Sequence, residues 1–573
     1  FFMNNSYTIV LSGQAGQGLQ TIENIIDKIL KENYYFFSSK EVMSRVRGGN
    51  NTVEIRISDH PVYAYQDQID MLFLLNRNSL YRLTDRIHAN TYIFGEANTF
   101  DPELLPEGSS QFHELAISQL AKNSGSLMFQ NTVLLGYIAG LLHLPKESAS
   151  TQIAKYFAHK ETALIEGNLK AFQAGYEQGS LFFNTHKPFT PIPFTDAVKN
   201  HKILNGTEAI AIGALAGGVN YSASYPMSPG TAVLEYLAKK GEEFGVLVEQ
   251  AEDEIAAINM TIGAWYAGAR GIVTTSGGGF ALMEEGVSLS GITETPCVIH
   301  IGQRPGPGTG LPTRTEQADL NLVVYAGHGE FPRIVLAPGS LEDGVLLTQR
   351  AFYLADRYQV PVFLLSDTYY LDSKSTITPL DLSEDSLESF VVPSKKDYLR
   401  YQLSDSPISP RSIPGYGDGL VKCDSDEHDE RGAITEDFEV RIQMNEKRLA
   451  KEALILEDYI APELVGSSDY ETLVIGWGST YGVLKEGVHR LCQEDLANKI
   501  AFLHIKEVFP LHTSLLEYTN QAKKIVMFEN NAGGQLKNLL KLHLDVHVDQ
   551  LYKKYNGVPF TTEEVYHKLK EVL

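Results

Sequence analysis

Between residues 225 and 313, successive strand-like stretches end in loops that could carry chemistry. Tyr225-Pro226-Met227-Ser228-Pro229-Gly230 sets one serine between prolines whose restricted backbone presents its hydroxyl at a strand end. Glu249-Gln250-Ala251-Glu252-Asp253-Glu254 follows the strand candidate Val246-Leu247-Val248-Glu249 and opens an alanine-rich helix. Thr274-Thr275-Ser276-Gly277-Gly278-Gly279-Phe280 reads as strand, glycine turn and helix. Cys297-Val298-Ile299-His300-Ile301 runs into Arg304-Pro305-Gly306-Pro307-Gly308-Thr309-Gly310-Leu311-Pro312-Thr313. Strands alternating with helices fold as α/β layers with mostly parallel sheets. In such open sheets the loops at the carboxyl ends of the strands line the ligand crevice. A hydroxyl, a carboxylate, a glycine turn and an arginine are therefore expected in one neighbourhood. Acids in a first helical turn also have a plainer reading, as compensation of the helix dipole.

The same plan opens the chain. Tyr7-Thr8-Ile9-Val10-Leu11 leads into Ser12-Gly13-Gln14-Ala15-Gly16-Gln17-Gly18 and a helix over 19–30 with Ile22, Ile25, Ile26 and Ile29 on one side. Gly13, Gly16 and Gly18, with Arg47 in the basic stretch 45–51, are candidate phosphate contacts, because a glycine turn lets backbone N–H groups approach an anion at a helix start. A ligand-free tight turn fits them too, and the spacing is not the dinucleotide-binding one. Val53-Glu54-Ile55-Arg56-Ile57 alternates as a half-buried strand, and a helical section over 131–178 closes a first domain, 1–183. The second domain spans 184–385, 386–465 is an extended interdomain segment where apolar periodicity fades, and a last α/β domain covers 466–573.

At 573 residues, several cores are required. A net charge of −23 makes nucleic acid a poor partner and sends any acidic electron carrier to another surface. No apolar run is long enough for a membrane, and no secretory signal is visible at the start. Cys297, Cys423 and Cys492 are too few and too scattered for a four-cysteine iron–sulfur cluster or a disulfide framework, which points to the cytoplasm. Gly417-Asp418-Gly419 with Asn445 imitates a magnesium–diphosphate motif but lacks the apolar strand such a motif needs, so no metal site is assigned.

The segments YPMSP, EDEIAAINMTIGA, TTSGGGFALM and RPGPGTGLPTRTEQADL resemble, in order, motifs of the alpha subunits of 2-oxoacid:ferredoxin oxidoreductases. SGQAGQGLQ and SRVRGGNNTVEIRIS resemble the gamma subunit of that family, and GWGSTYG and ENNAGGQL its C-terminal domain. The resemblance covers nearly the whole chain. It implies a Rossmann-like gamma domain, a doubly wound domain of the thiamine-diphosphate pyrimidine type and a transketolase C-terminal-like domain. Ser228 stands where the family has threonine, and Arg304 precedes Pro-Gly-Pro-Gly where glycine-glycine-proline-serine is usual.

The resemblance further implies CoA-dependent oxidative decarboxylation of a 2-oxoacid, in either direction, with electrons passed to ferredoxin. Thiamine diphosphate is shared with a beta subunit that carries Mg2+ and the iron–sulfur cluster, in a dimer of gamma–alpha/beta heterodimers. On this chain Glu254 hydrogen-bonds the aminopyrimidine, Arg304 pairs the substrate carboxylate, and Ser228 and Thr313 offer hydroxyls. Tyr225, Pro226, Ser276, Gly277 and Gly278 line the cofactor, while Gly13, Gly16, Gly18 and Arg47 are candidate coenzyme A contacts. The acid is 2-oxoglutarate by preference, with pyruvate and branched or aromatic 2-oxoacids as alternatives. A non-redox thiamine-diphosphate enzyme, a nicotinamide dehydrogenase and a non-catalytic assembly subunit are the competing functions.

Overall fold

The computed structural model describes residues 6–43, 49–104, 112–382, 387–494 and 499–573. Its contacts group the chain into two units: Phe1–Leu204 with Ser373–Pro379 and Thr561–Glu563, and Asn205–Asp372 with Leu380–Phe560 and Glu564–Leu573.

The first unit is built on an eight-stranded sheet around Ser6–Gln14. On one side run the parallel strands Met71–Leu74, Tyr92–Gly95 and Phe112–Glu114. On the other, Asn50–Ser58, Tyr35–Glu41 and Lys374–Ile377 pair antiparallel. The mostly parallel expectation is corrected here, because the short stretch between Tyr35–Glu41 and Asn50–Ser58 cannot hold a crossover helix. A second correction concerns Val53–Ile57. Both faces of that strand are buried, since Glu54 accepts a bidentate pair from Arg86 at 2.5 and 2.7 Å and Arg56 donates to the Ala64 carbonyl at 3.0 Å. Leu19–Leu30 lays Ile22, Ile25, Ile26 and Ile29 into the core as expected.

The closing helical section is a tight pair, Gln130–Leu141 against Thr162–His186. Cβ atoms on Gly136, Gly140, Gly175 and Gly179 would lie 2.0–2.2 Å from carbonyl oxygens of the facing helix. Backbones this close leave no room for side chains at those positions.

The second unit holds a seven-stranded and a five-stranded sheet. In the first, Leu247–Gln250, Tyr221–Ser224, Gly271–Thr275, Cys297–Gln303, Pro361–Asp367 and Ile334–Leu336 run parallel in that order. Glu507–Phe509, from the C-terminal part, completes it antiparallel. One core runs from Val273, Ile299 and Phe363 to Trp477, Leu503 and Met527, so the expected 184–385 and 466–573 segments share a single interior. The 386–465 segment contains the helix Phe438–Glu457, which the fading periodicity concealed. Its inward face carries Lys447, Arg448 and Lys451 beside Met444 and Ile455. Lys447 donates to both oxygens of buried Glu294 at 2.7 and 2.8 Å, and Lys451 reaches the same carboxylate at 2.5 Å.

Candidate active site

Because the four strands Leu247–Gln250, Tyr221–Ser224, Gly271–Thr275 and Cys297–Gln303 are neighbours and parallel, their loops emerge along one edge of the sheet. The serine loop is pressed onto that edge. A Cβ on Gly302 would lie 2.7 Å from Pro229 Cγ, and one on Gly230 2.6 Å from the Thr275 carbonyl. Arg304 closes over the loop, Nη1 donating to the Ser228 carbonyl at 2.7 Å. Beneath it, Thr274 Oγ1 donates to the Gly230 carbonyl at 3.0 Å and lies 2.8 Å from His300 Nδ1. His300 Nε2 is 2.8 Å from Ser366 Oγ. Burial pushes the imidazole down to about 3, so it is neutral. With Thr274 donating to Gly230, Nδ1 carries the proton and Nε2 accepts from Ser366.

The acids of the first turn divide by environment. Asp253 is the helix cap, its carboxylate accepting from Ala256 N at 2.7 Å. Glu254 turns inward, is 3% exposed, and its Oε1 has no hydrogen-bond partner among the described residues. Helix capping therefore describes Asp253 and not Glu254. The Glu254 carboxylate rests against the glycine turn, where a Cβ on Gly279 would fall 2.5 Å from Oε1. Ser276 Oγ, at the start of the same turn, is likewise buried and unpartnered among the described residues. A buried polar atom without a partner costs about 1–3 kcal/mol, and two such atoms stand beside bare backbone here.

On the far side of the turn lies a carboxylate that sequence reasoning missed. A Cβ on Gly277 would stand 2.3 Å from both oxygens of Asp319. Burial raises Asp319 to about 7, Glu316 adds to the rise, and Arg304 opposes it. The loop that carries it is strapped from behind. Gln317 donates to the Trp477 carbonyl at 2.8 Å and accepts from Asn530 N at 3.1 Å, while Gln535 donates to the Ala318 carbonyl at 2.8 Å. Thr315 donates to Asp367 at 2.9 Å. The only signal for this was the motif RPGPGTGLPTRTEQADL itself, in which Asp319 is not singled out. Of the other expected site residues, Tyr225, Ser228 and Gly278 are exposed and Pro226 and Thr313 half-buried on the same loops.

In the first unit, Gly13 lies one residue before the end of the central strand, and Gly16 and Gly18 adopt φ of 87° and 79°. Gly18 is the helix cap, with the Asn131 amide filling the space a side chain would need. Gln17 braces the turn, accepting from Gln14 N at 2.6 Å and donating to the Leu75 carbonyl at 3.1 Å. Arg47 lies outside the described residues. In the second unit, the Gly417-Asp418-Gly419 backbone is taken up by Ser394, whose carbonyl accepts from Asp418 N at 2.8 Å.

Residues 212–447 match the family described as pyruvate flavodoxin/ferredoxin oxidoreductase, thiamine diphosphate-binding, and residues 8–178 match pyruvate ferredoxin/flavodoxin oxidoreductase. The 2-oxoglutarate synthase subunit KorA of Archaeoglobus fulgidus is 33% identical over 59% of this chain and 90% of its own length. The chain belongs to the 2-oxoacid:ferredoxin oxidoreductase family, as an alpha subunit. The alpha subunit of the Sulfolobus sp. 2-oxoacid:ferredoxin oxidoreductase is 29% identical over 98% of this chain and 96% of that relative. The 2-oxoglutarate:ferredoxin oxidoreductase of Magnetococcus marinus, solved with 2-oxoglutarate, coenzyme A and succinyl-CoA bound, superposes with a TM-score of 0.92 at 30% identity, covering 99% of both chains. Within this family of oxidoreductases, 212–447 is the stretch that holds the Glu254 carboxylate and the glycine turn. No helix among the described residues is long and apolar enough to cross a membrane.

Proposed function

We propose that this chain is the fused gamma–alpha subunit of an enzyme that decarboxylates 2-oxoglutarate oxidatively with coenzyme A, giving succinyl-CoA and carbon dioxide. The observation that carries this reading is the buried, unpartnered Glu254 oxygen against the bare Gly277–Gly279 turn. Thiamine diphosphate fits there: its aminopyrimidine offers a ring nitrogen that a carboxylate can share a proton with, and a flat ring that backbone glycines admit. When bound, that cofactor supplies the electron sink for decarboxylation. Glu254 holds the proton at the ring nitrogen, which an amide could not do. Ser276, Gly277 and Gly278 would line the ring, and Tyr225 and Pro226 would contribute from the loop after Tyr221–Ser224. Arg304 pairs the substrate carboxylate, whose planar oxygens suit a guanidinium fork, and Ser228 and Thr313 offer hydroxyls.

Coenzyme A takes the acyl group, with Gly13, Gly16, Gly18 and Arg47 as candidate contacts in the gamma-type unit. A Cβ on Gly16 would meet nothing within 4 Å, so that backbone is open to a phosphate. Mg2+ and the iron–sulfur cluster are assigned to a beta subunit. Ser394 closes the Gly417-Asp418-Gly419 stretch, and the three cysteines are scattered, Cys297 in a buried strand, Cys423 in a loop and Cys492 in the helix Tyr481–Glu494. Electrons then pass to ferredoxin, and the assembly is a dimer of gamma–alpha/beta heterodimers in the cytoplasm. The choice of 2-oxoglutarate leans on the Magnetococcus and Archaeoglobus relatives. A broader 2-oxoacid range is the second reading, favoured by the name of the Sulfolobus relative. Co-purification with the native partner, then a panel of 2-oxoacids with a viologen acceptor, tests this. CoA-dependent reduction with the highest kcat/KM for 2-oxoglutarate is expected. Equal or better use of pyruvate would overturn the substrate, and absence of iron or of CoA dependence would overturn the oxidoreductase.

A further inference from the structure

Under the loops of the candidate site runs a chain of buried side chains to which the reading above gives no task. Thr274, His300 and Ser366 stand on three adjacent parallel strands and are at most 2% exposed. The Gly230 carbonyl can only accept, so the Thr274 hydroxyl gives it its single proton, at 3.0 Å. Toward His300 Nδ1, 2.8 Å away, the same hydroxyl is then an acceptor, and the ring carries its proton there. Burial keeps the imidazole neutral, which leaves Nε2 to accept from the Ser366 hydroxyl at 2.8 Å. Every bond points one way, from Ser366 through His300 and Thr274 to the backbone of the serine loop. The other tautomer would draw the Thr274 proton to Nδ1 and leave the Gly230 carbonyl to Val233 N alone, at 3.1 Å. Both ends are anchored, because Thr274 N donates to Ser224 Oγ at 2.9 Å and Gln303 Nε2 to the Ser366 carbonyl at 3.2 Å. Replacing paired buried polar groups by apolar ones of the same shape can be nearly neutral, so stability alone does not call for this chain.

Its endpoint suggests what it is for. Gly230 belongs to the loop whose Ser228 carbonyl receives Arg304 Nη1 at 2.7 Å. The loop is therefore held at two of its carbonyls, by Thr274 from the sheet and by Arg304 from the next loop. We propose that His300 is a positioning residue: through Thr274 it fixes the serine loop, and through that loop the direction in which the Arg304 guanidinium faces the 2-oxoacid carboxylate. This rests on Arg304 being the group that receives the substrate. A loop free to shift would carry the Ser228 carbonyl with it, and with that carbonyl the Nη1 end of the guanidinium fork. Two parallel donors would then no longer meet two carboxylate oxygens squarely. Neither His300 nor Thr274 touches substrate or moves a proton in the reaction.

Thr274→Val keeps the volume and removes the hydroxyl, and Thr274→Ser puts it back. At position 300 an asparagine amide nitrogen falls near the place of Nδ1 and a glutamine one near that of Nε2, so only His300→Asn can still donate to Thr274. The complex with the native partner is assayed for 2-oxoacid KM and kcat, with thiamine-diphosphate affinity and melting temperature on the same preparations. Thr274→Val and His300→Gln should raise KM roughly two- to tenfold, the worth of one net hydrogen bond, with kcat and cofactor affinity within about twofold of the parent. Thr274→Ser and His300→Asn should bring KM back to within about twofold. In an Arg304→Ala background the Thr274→Val effect should vanish, because the guanidinium it steers is gone. A lowered melting temperature with parent-like KM would make the chain purely structural and overturn the proposal. So would KM, kcat and cofactor affinity worsening together, equal effects of His300→Asn and His300→Gln, or a Thr274→Val effect undiminished without Arg304. If Arg304→Ala itself leaves KM unchanged, the substrate reading fails and this proposal with it. A raised KM in Arg304→Ala beside a parent-like Thr274→Val sinks the proposal alone.

Discussion

Gly279→Ala tests the placement of Glu254 without touching its chemistry. The added methyl would stand 2.5 Å from Glu254 Oε1 and 2.3 Å from Thr275 Oγ1, where ordinary contacts begin near 3.4 Å. Thr275 is buried in the last position of its strand and its hydroxyl cannot swing into solvent, so the Glu254 carboxylate must give way by most of an ångström. Overpacking of this size costs about 1–3 kcal/mol. If the displaced carboxylate is the one that meets the cofactor ring, as proposed, that cost should appear chiefly in binding, as a loss of roughly 5- to 150-fold in thiamine-diphosphate affinity. Titration of the reconstituted complex with cofactor, followed by tryptophan fluorescence, gives the affinity, and thermal melting of the cofactor-free protein gives the stability. The expected result is weakened binding with a melting temperature lowered by a few degrees at most. Parent-like affinity and turnover would refute the placement of Glu254 against this turn.

Arg304→Ala should raise the 2-oxoacid KM with little change in cofactor affinity, losing roughly ten- to a hundredfold in kcat/KM for a charge-assisted contact of about 1.5–3 kcal/mol. Arg304→Lys should recover only part of it, since lysine offers a point charge instead of a fork, and steady-state kinetics beside a cofactor titration separates the effects. In the gamma-type unit, Gly140→Val would drive its Cβ to 2.1 Å from the Tyr176 carbonyl, so the facing helix must move and the melting temperature of that unit should fall, by at least about 1–3 kcal/mol of stability. Glu294→Gln leaves Lys447 and Lys451 buried without their shared anion and should destabilise the second unit by about 3–5 kcal/mol, read from chemical denaturation at pH 7.

The active-site strands and their order along the chain were legible because short β-branched or apolar runs such as Gly271–Thr275 and Cys297–Gln303 alternate with helices, and most of their loops open near a proline or glycine. Glu254 stood out by position, yet only the fold separates it from Asp253, which looks alike in sequence and merely caps the helix. Asp319 was illegible for a different reason. It lies in a polar run whose burial comes from contacts with Trp477, Asn530 and Gln535, far off in sequence, and no local periodicity reports such contacts. The same holds for Phe438–Glu457, whose buried face is lysine and arginine paired with Glu294 and Glu427, so an apolar stripe never appears. The buried Val53–Ile57 strand was misread by the reverse route, because Glu54 and Arg56 mimic a solvent face while pairing inside the unit.

Glu254→Gln tests the account's central claim most directly, because it changes one oxygen to nitrogen at the site where Oε1 is buried without a partner. In the complex with its native partner, the turnover of 2-oxoacid with viologen and coenzyme A is measured alongside cofactor affinity and melting temperature. A proton-sharing role predicts that the fold and most of the cofactor binding persist while turnover falls by about 10²–10⁴-fold, the range for a lost general acid–base group. Turnover within about twofold of the parent, with normal cofactor binding, would contradict the assignment and leave Glu254 as a buried charge at the start of a helix.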